Sequence, residues 1–114
     1  SETCDNVEIY EAPIDAMSGA TLRQYKHDSP WRSVHYLALG GLNHQPIDYF
    51  LQQHPKVGRV ELCFDRDEPG RNFTKIVTKR LTERGYAVHN TPPAIGKDYN
   101  DYLITTRRIM EKER

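Results

Sequence analysis

Four times along this chain a short apolar run rich in β-branched or aromatic residues gives way to a segment of helical periodicity, and this repeated strand-then-helix grammar is what most limits its possible folds. The first run, Val7-Glu8-Ile9-Tyr10, leads through Glu11-Ala12-Pro13 into a helical stretch at 14–25 in which Met17, Ala20 and Leu22 fit the period. The second, at 34–39, stops at Gly40-Gly41; Pro46 then stands where a helix start tolerates it, and Ile47, Phe50 and Leu51 recur at helical spacing before His54-Pro55. The third, at 59–64, alternates Val60, Leu62 and Phe64 with Glu61 and Cys63 and runs into Asp65-Arg66-Asp67-Glu68-Pro69-Gly70. A helix at 71–84 follows, with Phe73, Ile76, Val77 and Leu81 as its apolar stripe and Gly85 placed as a C-terminal cap. The fourth run, at 86–89, is followed by a loop containing Pro93 and a helix at about 98–110.

Strands joined by helices of this length pair in parallel through right-handed crossovers, because only a long connection returns the chain to the same end of the sheet. The expected fold is therefore α/β: a doubly wound, mainly parallel four-stranded sheet with helices on both faces. In such sheets ligands sit outside the carboxyl ends of the strands, near the point where strand order switches. Glu11, Gly40-Gly41 and Asp65-Arg66-Asp67 follow the first three strands and fall at that edge.

With 114 residues the chain has the size of one domain, and residues 1–114 are read as a single unit cut from a longer protein. Its 37% hydrophobic and 28% charged composition supports a packed core. No apolar run reaches the roughly 20 residues of a membrane span, and the polar start SETCDN lacks the regions of a signal peptide, so a cytoplasmic protein with no membrane partner is expected. Sixteen basic residues balance sixteen acidic ones, so nucleic-acid binding has to rest on local charge. Cys4 and Cys63 have neither metal-ligand spacing nor a disulfide framework and read as reduced thiols.

Side chains two apart in an extended chain point to one side, so Asp65 and Asp67 can offer two carboxylates to one hard cation. Mg²⁺, with Mn²⁺ as a substitute, takes such oxygen ligands while keeping waters and substrate phosphates in its shell. The alternative is structural: Asp67 caps the third helix, with Glu68 and Pro69 in its first turn. Glu11 is either a third ligand or a solvated loop residue. Arg71, Lys75 and Lys79, four residues apart, align on one helix face that either tracks a phosphate backbone or simply meets solvent. Lys97 precedes the last helix within reach of a phosphate, and Asp98 reads as that helix's N-cap with Asp101 in its first turn. Arg66, between the two aspartates, points away from them. His27, His35, His44, His54 and His89 have no zinc-site spacing, and Trp31, Tyr36 and Phe73 read as packing residues.

The string Ile9-Tyr10-Glu11-Ala12-Pro13-Ile14-Asp15-Ala16, then Leu39-Gly40-Gly41, then Asp65-Arg66-Asp67-Glu68-Pro69-Gly70, then Lys97-Asp98-Tyr99-Asn100-Asp101-Tyr102-Leu103 resembles, in order and over nearly the whole chain, the Toprim domain of primases, type IA and type II topoisomerases, and certain nucleases and repair proteins. The closing element is most similar to primase-like members, including those of plasmids and conjugative elements. The resemblance implies that Glu11 acts in acid/base chemistry or metal binding and that Asp65 and Asp67 hold Mg²⁺. It implies DNA or RNA and nucleotides as partners, flanking domains in the parent protein, and nucleotidyl transfer of the DNA primase kind that the isolated domain does not perform alone. The other functions it leaves open are a nuclease or topoisomerase domain, or a non-catalytic nucleic-acid-binding module. Ala12 departs from the family, which has glycine after the glutamate.

Overall fold

The computed structural model describes residues 5–25 and 34–113; Cys4, His27 and Trp31 lie outside them. The elements run β1 (Asn6–Tyr10), α1 (Pro13–Gln24), β2 (His35–Ala38), α2 (Gln45–Gln53), β3 (Arg59–Leu62), α3 (Glu68–Glu83), β4 (Ala87–Asn90) and α4 (Tyr99–Lys112). The four strands form one sheet in the order β2-β1-β3-β4, every pairing parallel. Strand order reverses between β1 and β3, whose register sets Val7 beside Val60 and Ile9 beside Leu62.

The period of two along β1 and β3 divides the protein into two cores. Val7, Ile9, Val60 and Leu62 are fully buried on one face, under Ile47 and Leu51 of α2 and Phe73, Val77 and Leu81 of α3. Burying each such side chain is worth about 1.5–3 kcal/mol, so this apolar layer is the main source of stability. On the other face Tyr10 and Cys63 pack against Leu22 of α1 and Tyr99 and Leu103 of α4. Burial pushes the Cys63 thiol up to about 12, so it is an inert packing group. That second face also carries charge. Glu8 is buried, accepts a hydrogen bond from Tyr10 Oη at 2.6 Å and pairs with Arg23, while Glu61 accepts from Asn6 Nδ2 at 3.2 Å.

Local chemistry sets the helix starts. Pro13 opens α1 with its fixed φ, and Asp67 caps α3 by accepting the Gly70 N–H at 2.8 Å, so α3 begins three residues before the helix expected at 71–84. Ile76 does not join the apolar stripe: it is 59% exposed, because the buried row Phe73, Val77, Leu81 has a spacing of four and Ile76 lies about 100° around from Val77. Met17, 70% exposed, is likewise on the outer side of α1. Among the described residues no helix is long and apolar enough to cross a membrane.

Candidate metal centre

Glu11 follows the end of β1, and its carbonyl accepts at 2.8 Å the N–H of Gly40, which turns the chain leaving the neighbouring β2 at φ +69°, a conformation that suits glycine. Ala12 then takes φ −132°, well within the reach of alanine, so the departure from glycine at this position introduces no strain. The Glu11 side chain reaches across to β3: its Oε2 accepts the Asp65 N–H at 2.6 Å, tying the ends of β1 and β3 together at the point where strand order reverses.

Around that link the structure gathers carboxylates from three separate segments. Asp15 in the first turn of α1, Asp65 beyond β3 and Asp98 at the start of α4 bring oxygens within 4.8 Å of one another. Asp15 is buried and accepts the Asn100 N–H at 3.2 Å; Asp98 accepts the Asp101 N–H at 2.8 Å. The exposed donors of the α4 N-terminus thus face this acidic group and offset part of its charge. They do not offset all of it. Burial, then the charges of Glu11 and Asp15, push the Asp65 carboxyl up to about 7, and burial foremost raises Asp15 despite its bond from Asn100.

The expected Asp65 and Asp67 pair is arranged differently. Asp67 is not in the three-carboxylate group: its Oδ1 caps α3, and its Oδ2 lies 3.8 Å from Lys97 Nζ. The chain bends after Asp65, so the period of two does not carry past Phe64. The bend is tight enough that a methyl group at Gly70 would collide with the Asp65 carbonyl. Arg66 donates its N–H to the Lys97 carbonyl at 2.7 Å, which joins this bend to the loop before α4. Asp15 and Asp98 were not assigned to the site from sequence. The available signal was an acid four residues after Glu11, across a strand-to-helix turn, which returns it to the strand end.

The donor set fits a hard divalent cation. All its atoms are carboxylate oxygens, and among the described residues no histidine or cysteine joins the group. Ligands of an octahedral ion with bonds of about 2.1 Å lie about 3.0 Å apart when adjacent and about 4.2 Å apart when opposite, so oxygens now within 4.8 Å of one another have to close in by side-chain rotation to share one ion.

The basic residues divide. Lys97 is held near Asp67, Arg71 donates from Nη1 to the Arg66 carbonyl at 2.9 Å, and Lys75 and Lys79 are exposed on α3. A cleft of about 270 Å³ opens between α3 and the end of β4, lined by Phe64, Asp65, Arg66, Arg71, Thr74, Lys75, Asn90 and Pro92.

Residues 8–103 match the sequence profile of the family described as Toprim-like. No curated protein sequence matches the chain. The fold is similar to that of the primase fragment of the bacteriophage T7 primase-helicase protein, with a TM-score of 0.63 and 20% identity over 100% of this chain and 46% of that one. It is also similar to a protein from Aquifex aeolicus, with a TM-score of 0.55 and 16% identity over 96% and 78% of the two chains. This chain thus spans under half of the phage fragment.

Proposed function

The chain belongs to the Toprim-like family, and from that premise we propose that it supplies the metal-holding part of a centre for nucleotidyl or phosphoryl transfer on nucleic acid, with primer synthesis by a DNA primase-like protein as the reaction. The observation that carries the reading is the carboxylate group of Asp15, Asp65 and Asp98 at the switch point of the sheet, with Glu11 bonded to the backbone of Asp65.

Asp65, Asp15 and Asp98 would hold Mg²⁺ or Mn²⁺, which supplies charge neutralisation at the phosphate under attack. Glu11, whose carboxylate accepts the Asp65 N–H and lies beside the Asp65 side chain, would hold or move a proton beside the ion or join its ligands. Asp67 lies at the rim. Its contact with Lys97 is long and that lysine is 60% exposed, so Lys97 can leave Asp67 for a substrate phosphate and free the carboxylate for a second ion. Arg71, Lys75 and Lys79 continue the basic face along α3 and serve as contacts to phosphates of DNA or RNA. On this reading, substrate alignment falls in part to flanking domains of a longer parent protein.

Mn²⁺ titration tests the assignment. The wild-type chain is expected to bind Mn²⁺, with Asp65→Asn and Asp15→Asn each weakening binding by at least about tenfold and Asp67→Asn by less. Unchanged affinity in Asp65→Asn would remove the metal centre. For the reaction, full-length protein is expected to synthesise primers from nucleoside triphosphates on single-stranded DNA, without an added primer and only with a divalent ion. Metal-independent binding of single strands with no turnover points instead to a non-catalytic module, and strand cleavage to a nuclease or topoisomerase domain.

A further inference from the structure

We propose that the cleft between α3 and the end of β4 is a phosphate seat, in which Arg66, Arg71 and Lys75 hold a phosphate group of the substrate against the metal-binding edge. The proposal deepens the reading above and rests on it for the identity of the substrate, although the seat itself is a matter of charge and shape.

The first ground is which cations are already paired. Arg23, Arg59, Arg80, Arg84 and Lys97 each have a carboxylate within 4.0 Å. Among the described residues Arg66, Arg71 and Lys75 have none, although Asp65 and Asp67 are their neighbours in sequence. Three uncompensated cations meet at one cleft. Arg71 is also oriented in advance, since Nη1 is fixed on the Arg66 carbonyl and its other N–H groups stay available for a fork of bonds to phosphate oxygens.

The second ground is position. Asp65 belongs both to the carboxylate group and to the wall of this cleft, so an anion seated there lies beside the ion that Asp65 would hold. Asn90 adds a polar side chain, Thr74 lines the wall with its hydroxyl already donated to the Gly70 carbonyl, and buried Phe64 forms the back of the cleft. The third ground is size. A volume of about 270 Å³ is below the roughly 300–1,000 Å³ of sites that enclose whole small ligands, so the cleft takes the phosphate portion and leaves sugar and base outside. Two substrates present that chemistry: the polyphosphate tail of a nucleotide and the phosphodiester of a single strand.

Calorimetric titration of the 114-residue chain with tripolyphosphate, in chelator-treated buffer at low salt, is expected to give saturable binding. Arg71→Ala and Lys75→Ala should each weaken it about tenfold, the effect of losing one charge-assisted contact, and leave Mn²⁺ affinity within about twofold. Lys112→Ala, at the far end of α4, should change neither. Asp65→Asn should show the opposite pattern, losing Mn²⁺ while retaining tripolyphosphate. Displacement by a nucleoside triphosphate alone assigns the seat to the nucleotide tail; displacement by an oligonucleotide without a 5′-phosphate assigns it to the strand. Absence of tripolyphosphate binding, displacement by neither competitor, or affinity unmoved by both substitutions at Arg71 and Lys75 overturns the seat. A chain that binds tripolyphosphate in this pattern but takes no Mn²⁺ overturns the metal centre and leaves the seat in place.

Discussion

Asp65 is where the tension in this protein concentrates. Its carboxyl is raised to about 7 by burial and by Glu11 and Asp15, whereas in the unfolded chain it titrates near 3.9. Between those values the unfolded state gives up a proton that the folded state keeps, so stability is greatest below about pH 4 with respect to this group and falls as pH rises through about 7. Melting curves in chelator should therefore show a fall in midpoint over that interval that is smaller in Asp65→Asn; an equal fall in both proteins would refute the coupling. This residue was legible from sequence, since an aspartate just past an apolar strand is exposed at the sheet edge in any parallel fold. Its partners were less legible. The spacing of Asp65 and Asp67 pointed to one shared ion only if the backbone stayed extended, and the turn into α3 bends it. Asp15 and Asp98 come close only once α1 and α4 have packed side by side, which no local pattern encodes.

At the level of elements, two ion clusters fix how helices lie on the sheet. On one face Arg23 of α1 reaches Glu8 of β1 and lies 3.7 Å from Glu61 of β3. Because Glu8 is almost fully buried, Arg23→Ala leaves a carboxylate without its partner and should destabilise by about 3 kcal/mol in urea unfolding. On the other face Asp48 of α2 accepts from Arg80 of α3 at 2.6 Å, from Arg84, which caps the end of α3, at 3.2 Å, and from His44 at 3.0 Å. The bond from Arg80 foremost holds the Asp48 carboxyl below the usual carboxylate range. Its stabilising contribution is therefore present above about pH 4 and is lost as pH falls through the lowered value. Asp48→Ala should lower stability at pH 7 by only about 0.5–1 kcal/mol, because the cluster is partly solvent-screened, with the difference fading as pH falls below the usual carboxylate range. The strand and helix sequence was readable because each element carries its own period. Neighbours were not: periodicity makes Ile76 and Val77 equally apolar and helical, and only the position of the sheet decides that Val77 turns inward.

For the whole molecule, the parallel layout followed from the lengths of the connections, but the order β2-β1-β3-β4 depends on which strands bury best against one another. That order places β1 and β3 at the centre and so puts their ends, with Glu11 and Asp65, at one crest. Divalent metal should raise the melting midpoint in proportion to the logarithm of its concentration, by an amount equivalent to about 2.7 kcal/mol at a hundredfold excess over Kd, and chelator should reverse it. A midpoint indifferent to metal would contradict the site.

The three carboxylates come from near the beginning, the middle and near the end of the chain, at Asp15, Asp65 and Asp98. An ion bound there acts as a reversible cross-link that closes loops spanning most of the polypeptide, the covalent counterpart of which would be a pair of long-range disulfides. Such a link could not form in a half-folded chain, so metal occupancy would be a checkpoint on completed folding: an ion could bind all three carboxylates only when the first and last helices have already met.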